Sequence, residues 1–211
     1  MIRQKTLLTS IAFALVAFVA PASGQVGKGL LDANTATEAQ LTGLPNMTPA
    51  IAKALIGKRP FMSVVELNAF LIGQGLTPAQ AGEIYAKAFI HVNLNTGTRE
   101  EILLIPGAGT RMAREFPEYR PWKNWAHFDK EISKYVGQPE TDRLKQYVFI
   151  PVKLNTGTDE DIMSIPGAGS RMVREFKEYR PWKSKEQFEK EIGKYVDAKE
   201  VARLWRYVVI D

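Results

Sequence analysis

The stretch Ile105-Pro106-Gly107-Ala108-Gly109 recurs sixty residues later as Ile165-Pro166-Gly167-Ala168-Gly169. A Pro-Gly-x-Gly sequence between two apolar helical patterns makes a tight turn, since glycine takes up backbone conformations that a Cβ would strain. The helix after such a turn opens with N–H groups that have no intrahelical partner. Together with the positive end of the helix dipole, these groups form a ready site for an anion. Gly107, Ala108 and Gly109 would supply backbone donors and Thr110 a hydroxyl, with Arg111 and Arg114 in reach of flanking charge. Gly167, Ala168, Gly169, Ser170, Arg171 and Arg174 repeat the set. The anion that fits two such turns is the phosphate of a nucleic-acid backbone. Contacts of this kind position a duplex without reading its bases.

The turns belong to a longer repeat. Residues 92–150 and 152–210 align without a gap and are identical at well over half of their positions, and a worn third copy occupies 31–90. In each, Thr37, Thr98 or Thr158 is the expected cap of a first helix, with Gln40, Glu101 or Asp161 at capping-box spacing. Thr110 and Ser170 are the expected caps of a second helix, whose apolar face carries Met112, Phe116 and Tyr119, or Met172, Phe176 and Tyr179. Arg-Pro-Phe at 59–61 and Arg-Pro-Trp at 120–122 and 180–182 end that helix, because proline cannot continue it. A third helix is capped by Ser63, Asn124 or Ser184, with Glu66 and Gln187 at box spacing in the first and last. Its apolar face is Phe128, Ile132, Tyr135 and Val136, or Phe188, Ile192, Tyr195 and Val196. A fourth helix follows a second turn. The expected fold is all-α, with three tandem units of four short helices at 25–90, 91–150 and 151–211, joined by the stiff connectors around His91 and Pro151.

Helix, Pro-Gly-x-Gly turn, helix resembles the helix-hairpin-helix motif. The wider order, Leu-Asn-Thr-Gly-Thr, then Ile-Pro-Gly-Ala-Gly, then Glu-Tyr-Arg-Pro-Trp, then a second hairpin, resembles the paired helix-hairpin-helix domain of ComEA-like competence proteins. The resemblance covers nearly all of 30–210, with alanine in the turn where that family usually has a larger apolar residue. It implies capture of double-stranded DNA during uptake. The same units serve elsewhere as scaffolds, so a protein-binding scaffold of the cell envelope is the alternative. A DNA binder should leave both Gly-Ala-Gly turns and their arginines exposed on one face, and a scaffold should bury them or turn them apart.

The other turns are poorer in chemistry. Leu44-Pro45-Asn46-Met47-Thr48 has Asn46 and Thr48 in place of the glycines and no arginine after them. Asp197 at the last turn would repel a phosphate. Trp122 and Trp182 read as plugs between helices, and Tyr135, Tyr147, Tyr195 and Tyr207 as core. The acids Asp159, Glu160 and Asp161 suit the first turn of a helix. The chain has no cysteine and only two histidines, His91 and His127, so neither a disulfide nor a transition-metal cluster is expected. No P-loop, metalloprotease or nucleophile-elbow motif is present, and neither an enzymatic activity, a cofactor nor a small-molecule substrate is expected.

Residues 1–24 read as a secretory signal peptide: Arg3 and Lys5, then the apolar run 7–20, then Pro-Ala-Ser-Gly, with cleavage after Gly24. The apolar run is shorter than the ~20 residues a bilayer span requires. The expected location is periplasmic or secreted. Loss of Arg3 and Lys5 lowers the formal net charge from +5 to +3, too small an excess to coat nucleic acid by charge alone. Binding, on this reading, depends on local geometry.

Overall fold

A computed structural model describes residues 24–211, so the expected signal peptide lies outside the described residues except for Gly24. The described chain is mostly helical, with eleven helices and six strands of two residues each. Residues 31–90 hold β1 (Leu31–Asp32), α1 (Glu38–Thr42), α2 (Pro49–Lys58), α3 (Val64–Gly73), α4 (Pro78–Tyr85) and β2 (Ala88–Phe89). Residues 92–150 hold β3 (Val92–Asn93), α5 (Arg99–Leu103), α6 (Gly109–Glu118), α7 (Trp125–Lys145) and β4 (Val148–Phe149). Residues 152–210 hold β5 (Val152–Lys153), α8 (Asp159–Ser164), α9 (Ser170–Glu178), α10 (Lys185–Ile192), α11 (Ala198–Trp205) and β6 (Val208–Val209). In the middle stretch the third and fourth helices meet without a loop in α7, and the expected second turn is a sharp kink at Gly137, whose φ of 74° and ψ of 166° are not helical. Within each stretch the first strand pairs in parallel with the last, so what reads as a stiff connector is a closing pair of backbone ladders.

The sequence explains where the helices begin. Thr37, Thr77, Thr98 and Thr158 form complete capping boxes with Gln40, Gln80, Glu101 and Asp161. Ser63 and Ser184 also cap their helices, but Glu66 and Gln187 reach one residue further back than a box requires, to the N–H groups of Met62 and Lys183.

One side-chain arrangement recurs in all three stretches. Asn95 Oδ1 accepts from the Trp122 backbone N–H at 2.6 Å and its Nδ2 donates to the Trp122 carbonyl at 3.1 Å. Asn34 grips Phe61 in the same two-way manner, and Asn155 grips Trp182. The preceding arginine completes the joint. Arg120 donates from Nε to the Leu94 carbonyl and from Nη2 to the Gly97 carbonyl, as Arg59 does to Ala33 and Ala36 and Arg180 to Leu154 and Gly157. The aromatic ring after the proline is then pressed into the core. Trp122 and Trp182 are buried, and their indole N–H groups donate to the Phe116 and Phe176 carbonyls at 2.8 and 2.7 Å. Each clasp fixes the strand-to-helix entry against the junction between the second and third helices.

The first and third stretches meet through buried polar groups. Tyr207 Oη donates to Asp32 Oδ2 at 3.1 Å, and His91 Nδ1 lies 3.6 Å from the same oxygen. Arg206 donates to the His91 carbonyl and stacks over the Phe149 and Tyr207 rings. Burial raises the pKa of the Asp32 carboxyl, but the nearby His91 and the guanidinium groups of Arg203 and Arg206 outweigh it and hold the pKa below the usual range. His91, expected in a connector, is thus a buried part of this junction.

Asn95→Ala should destabilise the protein by about 1–3 kcal/mol, because it leaves the Trp122 N–H without its acceptor in a half-buried site. Urea unfolding of the variant beside its parent measures this, and a loss no larger than that of an exposed Ala substitution would contradict the clasp.

Candidate functional site

Asn46 and Gly107 occupy equivalent places in their turns, as does Gly167, and all three have positive φ, at 58°, 77° and 78°. Asparagine tolerates this left-handed region better than most residues with a Cβ, so the worn first turn keeps its shape. Close packing asks for glycine as well. A Cβ on Gly107 would come within 2.8 Å of the Arg143 guanidinium, which donates to the Pro106 carbonyl and is held by Glu140. A Cβ on Gly167 would meet Arg203 and Thr35 at 3.1 Å.

The turns differ in how the next helix starts. In the first stretch Thr48 is the cap of α2, and its hydroxyl accepts from the Ile51 N–H at 3.2 Å. Thr110 and Ser170 were the expected caps of α6 and α9, and they are not. The helices begin a residue or two earlier, after Ala108 and Gly169, and neither start has a side-chain cap. Gly169, extended at φ −113° and ψ −177°, fills the seat of Thr48 but brings no hydroxyl. Among the described residues, the starts of the other nine helices all carry a side-chain cap, whereas the second segment of α7, which follows the non-helical Gly137, has no side chain there to cap it. The first intrahelical bonds run from Met112 to Ala108 and from Val173 to Gly169. The N–H groups of Gly109, Thr110 and Arg111, and of Ser170, Arg171 and Met172, precede them and have no helical partner. Two expected donors drop out, however. The Ala108 and Ala168 N–H groups bond within the turn to Ile105 and Ile165, at 3.1 and 2.9 Å.

The remaining site residues gather around their own turns. Gly107, Gly109, Thr110, Arg111 and Arg114 are exposed, as are Gly167, Gly169, Ser170, Arg171 and Arg174, while Ala108 is buried and Ala168 half-buried. Thr110, Arg111 and Arg114 line one groove with Arg99, Ala113 and Pro117. Arg99 was not anticipated as part of the site; its place in the first turn of α5 brings it there. The corresponding groove in the third stretch is lined by Ser170 and Arg174, together with Asp159, Met163, Val173, Lys177 and Glu178. Asp159 stands where Arg99 does and pairs with Lys177 at 2.6 Å, so this groove is less basic.

The arginines are held as well as exposed. Glu115, buried, takes two hydrogen bonds from Arg114, at 3.0 and 2.6 Å, and Glu175 takes one from Arg174 at 2.9 Å. The Arg114 guanidinium beside Glu115 holds its carboxyl below the usual range. Both arginine side chains remain about two-thirds in water, at 69 % and 67 % exposure, which leaves their outer N–H groups free to meet a ligand. Arg111 donates to the Tyr135 carbonyl at 3.3 Å, and Arg171 stacks over the Tyr195 ring at 5.1 Å. The arrangement offers open backbone donors, a dipole end and forked cations at each turn, a set suited to a tetrahedral oxyanion.

The turns judged poor in chemistry are closed. Asp197 caps α11, its carboxylate accepting from the Glu200 N–H at 2.9 Å, and Asn46 Nδ2 is spent on Glu83 at 2.8 Å. No cluster of metal-ligating side chains occurs among the described residues, and no helix there is long and apolar enough to cross a membrane. No family model, curated protein or solved structure matches the chain.

Gly169→Thr places a hydroxyl in the seat that Thr48 fills, at an extended residue whose Cβ would meet nothing within 4 Å. The variant should be more stable than the parent by a few tenths of a kcal/mol, the usual difference between glycine and threonine caps. A lower melting temperature in calorimetry would show that the start of α9 does not have this geometry.

Proposed function

We propose that the chain is an exported protein of three tandem paired helix-hairpin-helix units that holds double-stranded DNA by its backbone, without regard to sequence. One observation carries the reading: α6 and α9, which follow the Gly-Ala-Gly turns and carry the arginine pairs, both start without a side-chain cap. An uncapped helix start is costly unless water or a ligand satisfies it. Phosphate does so with charge of the right sign. Arg111, Arg114, Arg171 and Arg174 then reach neighbouring phosphates of the same duplex, and Arg99 strengthens the middle turn. The first stretch is architectural on this reading, since Thr48 closes the corresponding start. The resemblance to ComEA-like proteins supports a role in DNA uptake. No catalytic constellation enters the proposal.

A second reading, the envelope scaffold, draws on different contacts. Arg143 covers the Pro106 carbonyl, and Thr35 of the first stretch packs beside Gly167, so one side of each turn serves internal packing.

A titration of duplex binding against salt separates the two. DNA binding through four arginines should show micromolar-range affinity that falls with salt, at a log–log slope of a few units, since each neutralised phosphate contributes about 0.9. Replacing Arg111, Arg114, Arg171 and Arg174 together with alanine should nearly abolish binding and leave the helical circular dichroism intact, because alanine is the best helix former. Replacing Lys53 and Lys58 of the first stretch should matter far less. Undiminished binding by the quadruple variant, or no binding by the parent at low salt, would favour the scaffold.

A further inference from the structure

Residues 24–27, ahead of the first repeat, bond to the second and third stretches. Val26 is buried and forms an antiparallel bridge with Phe149 in β4, flanked by bonds from the Gly27 N–H to the Val148 carbonyl and from the Ile150 N–H to the Gln25 carbonyl. The Val26 N–H donates to Ser164 Oγ at 3.1 Å, at the end of α8. This short strap therefore ties the second stretch to the third. Gly24 is part of it. Its carbonyl accepts from the Trp125 indole N–H at 2.9 Å, and the residue is buried where a Cβ would overlap the Ser164 side chain.

This geometry bears on where the leader is removed. A cut after Gly24 would discard the acceptor of the Trp125 N–H. It would also put a new ammonium on Gln25, immediately beside buried Val26 and a carbonyl already engaged by Ile150. Leaving an indole donor unpaired and drawing a charge out of water both oppose folding. Ala20-Pro21-Ala22, two residues upstream, carries the small residues that a leader peptidase accepts on either side of one position. We infer that export processing hydrolyses the Ala22–Ser23 bond, so that the mature chain begins at Ser23 and keeps Gly24 as the end of the strap. Water supplies the hydroxyl of the released Ala22 carboxyl and a proton to the Ser23 amine, and the exporting cell supplies the peptidase. The inference rests on the export part of the proposed function and is independent of DNA binding.

The test is the intact mass and N-terminal sequence of the full chain after export, for the parent and for Gly24→Val. The parent should begin at Ser23. The variant should be processed at the same bond, because residue 24 lies beyond the cut, and the exported variant should melt several degrees below the parent, because valine does not fit beside Ser164. A parent that begins at Gln25, or a variant left unprocessed because valine now occupies the small-residue position at the cut, would overturn the inference while leaving export intact. An equal melting temperature for the two exported proteins would also overturn it, since it would mean that Gly24 has no place in the folded strap. Retention of Met1 in the parent would overturn export itself and the inference with it.

Discussion

The structure depends on one asparagine amide in each stretch, held against the backbone of the residue after an Arg-Pro pair. Asn34, Asn95 and Asn155 both accept from and donate to that residue, so each amide is used in two directions at once. The arginine beside the proline grips the turn from which the asparagine comes. A side chain that bonds to backbone groups twenty-seven residues away ties distant parts of each stretch together, beside a hydrophobic core that the first two stretches share. It also fixes the second helix of each stretch at its end. The start of that helix, where the Gly-Ala-Gly turns lie, is then left to other constraints.

Those constraints differ by a single side chain. Thr48 closes α2, whereas glycine stands in the corresponding seat before α9. Glycine costs little as a cap, so the change from threonine sacrifices only a small part of the helix stability while uncovering N–H groups. The buried Glu115 and Glu175 act in the same direction. They hold Arg114 and Arg174 beside the open starts without covering the outer guanidinium faces. A protein with a formal charge of only +5 thus concentrates its donors at two places.

The short-range features were legible in the sequence, because a cap, a box or a proline break depends on a few neighbouring residues. Thr37, Thr98, Thr158 and Asn124 fall where their types and spacing put them. Trp122 and Trp182 are the buried plugs their position suggests. The register at the candidate site was harder to read. Thr110 and Ser170 follow glycine and have the right chemistry for caps, but the backbone angles of the glycines start the helices ahead of them. Long-range contacts left no local signal. Nothing near Asn95 announces its grip on Trp122, nor does anything near His91 announce its burial against Asp32 and Arg206, or near Val26 its bridge to Phe149.

The open starts of α6 and α9 are the proposed seats of phosphate. Backbone amide chemical shifts, followed by nuclear magnetic resonance as a short DNA duplex is added at low salt, test this residue by residue. The amides of Gly109, Thr110 and Arg111, and of Ser170, Arg171 and Met172, should move together and most strongly, while those of Thr48, Ala50 and Ile51 around Pro49 should stay in place. Shifts that avoid both starts, or that fall equally on the capped start of α2, would contradict it.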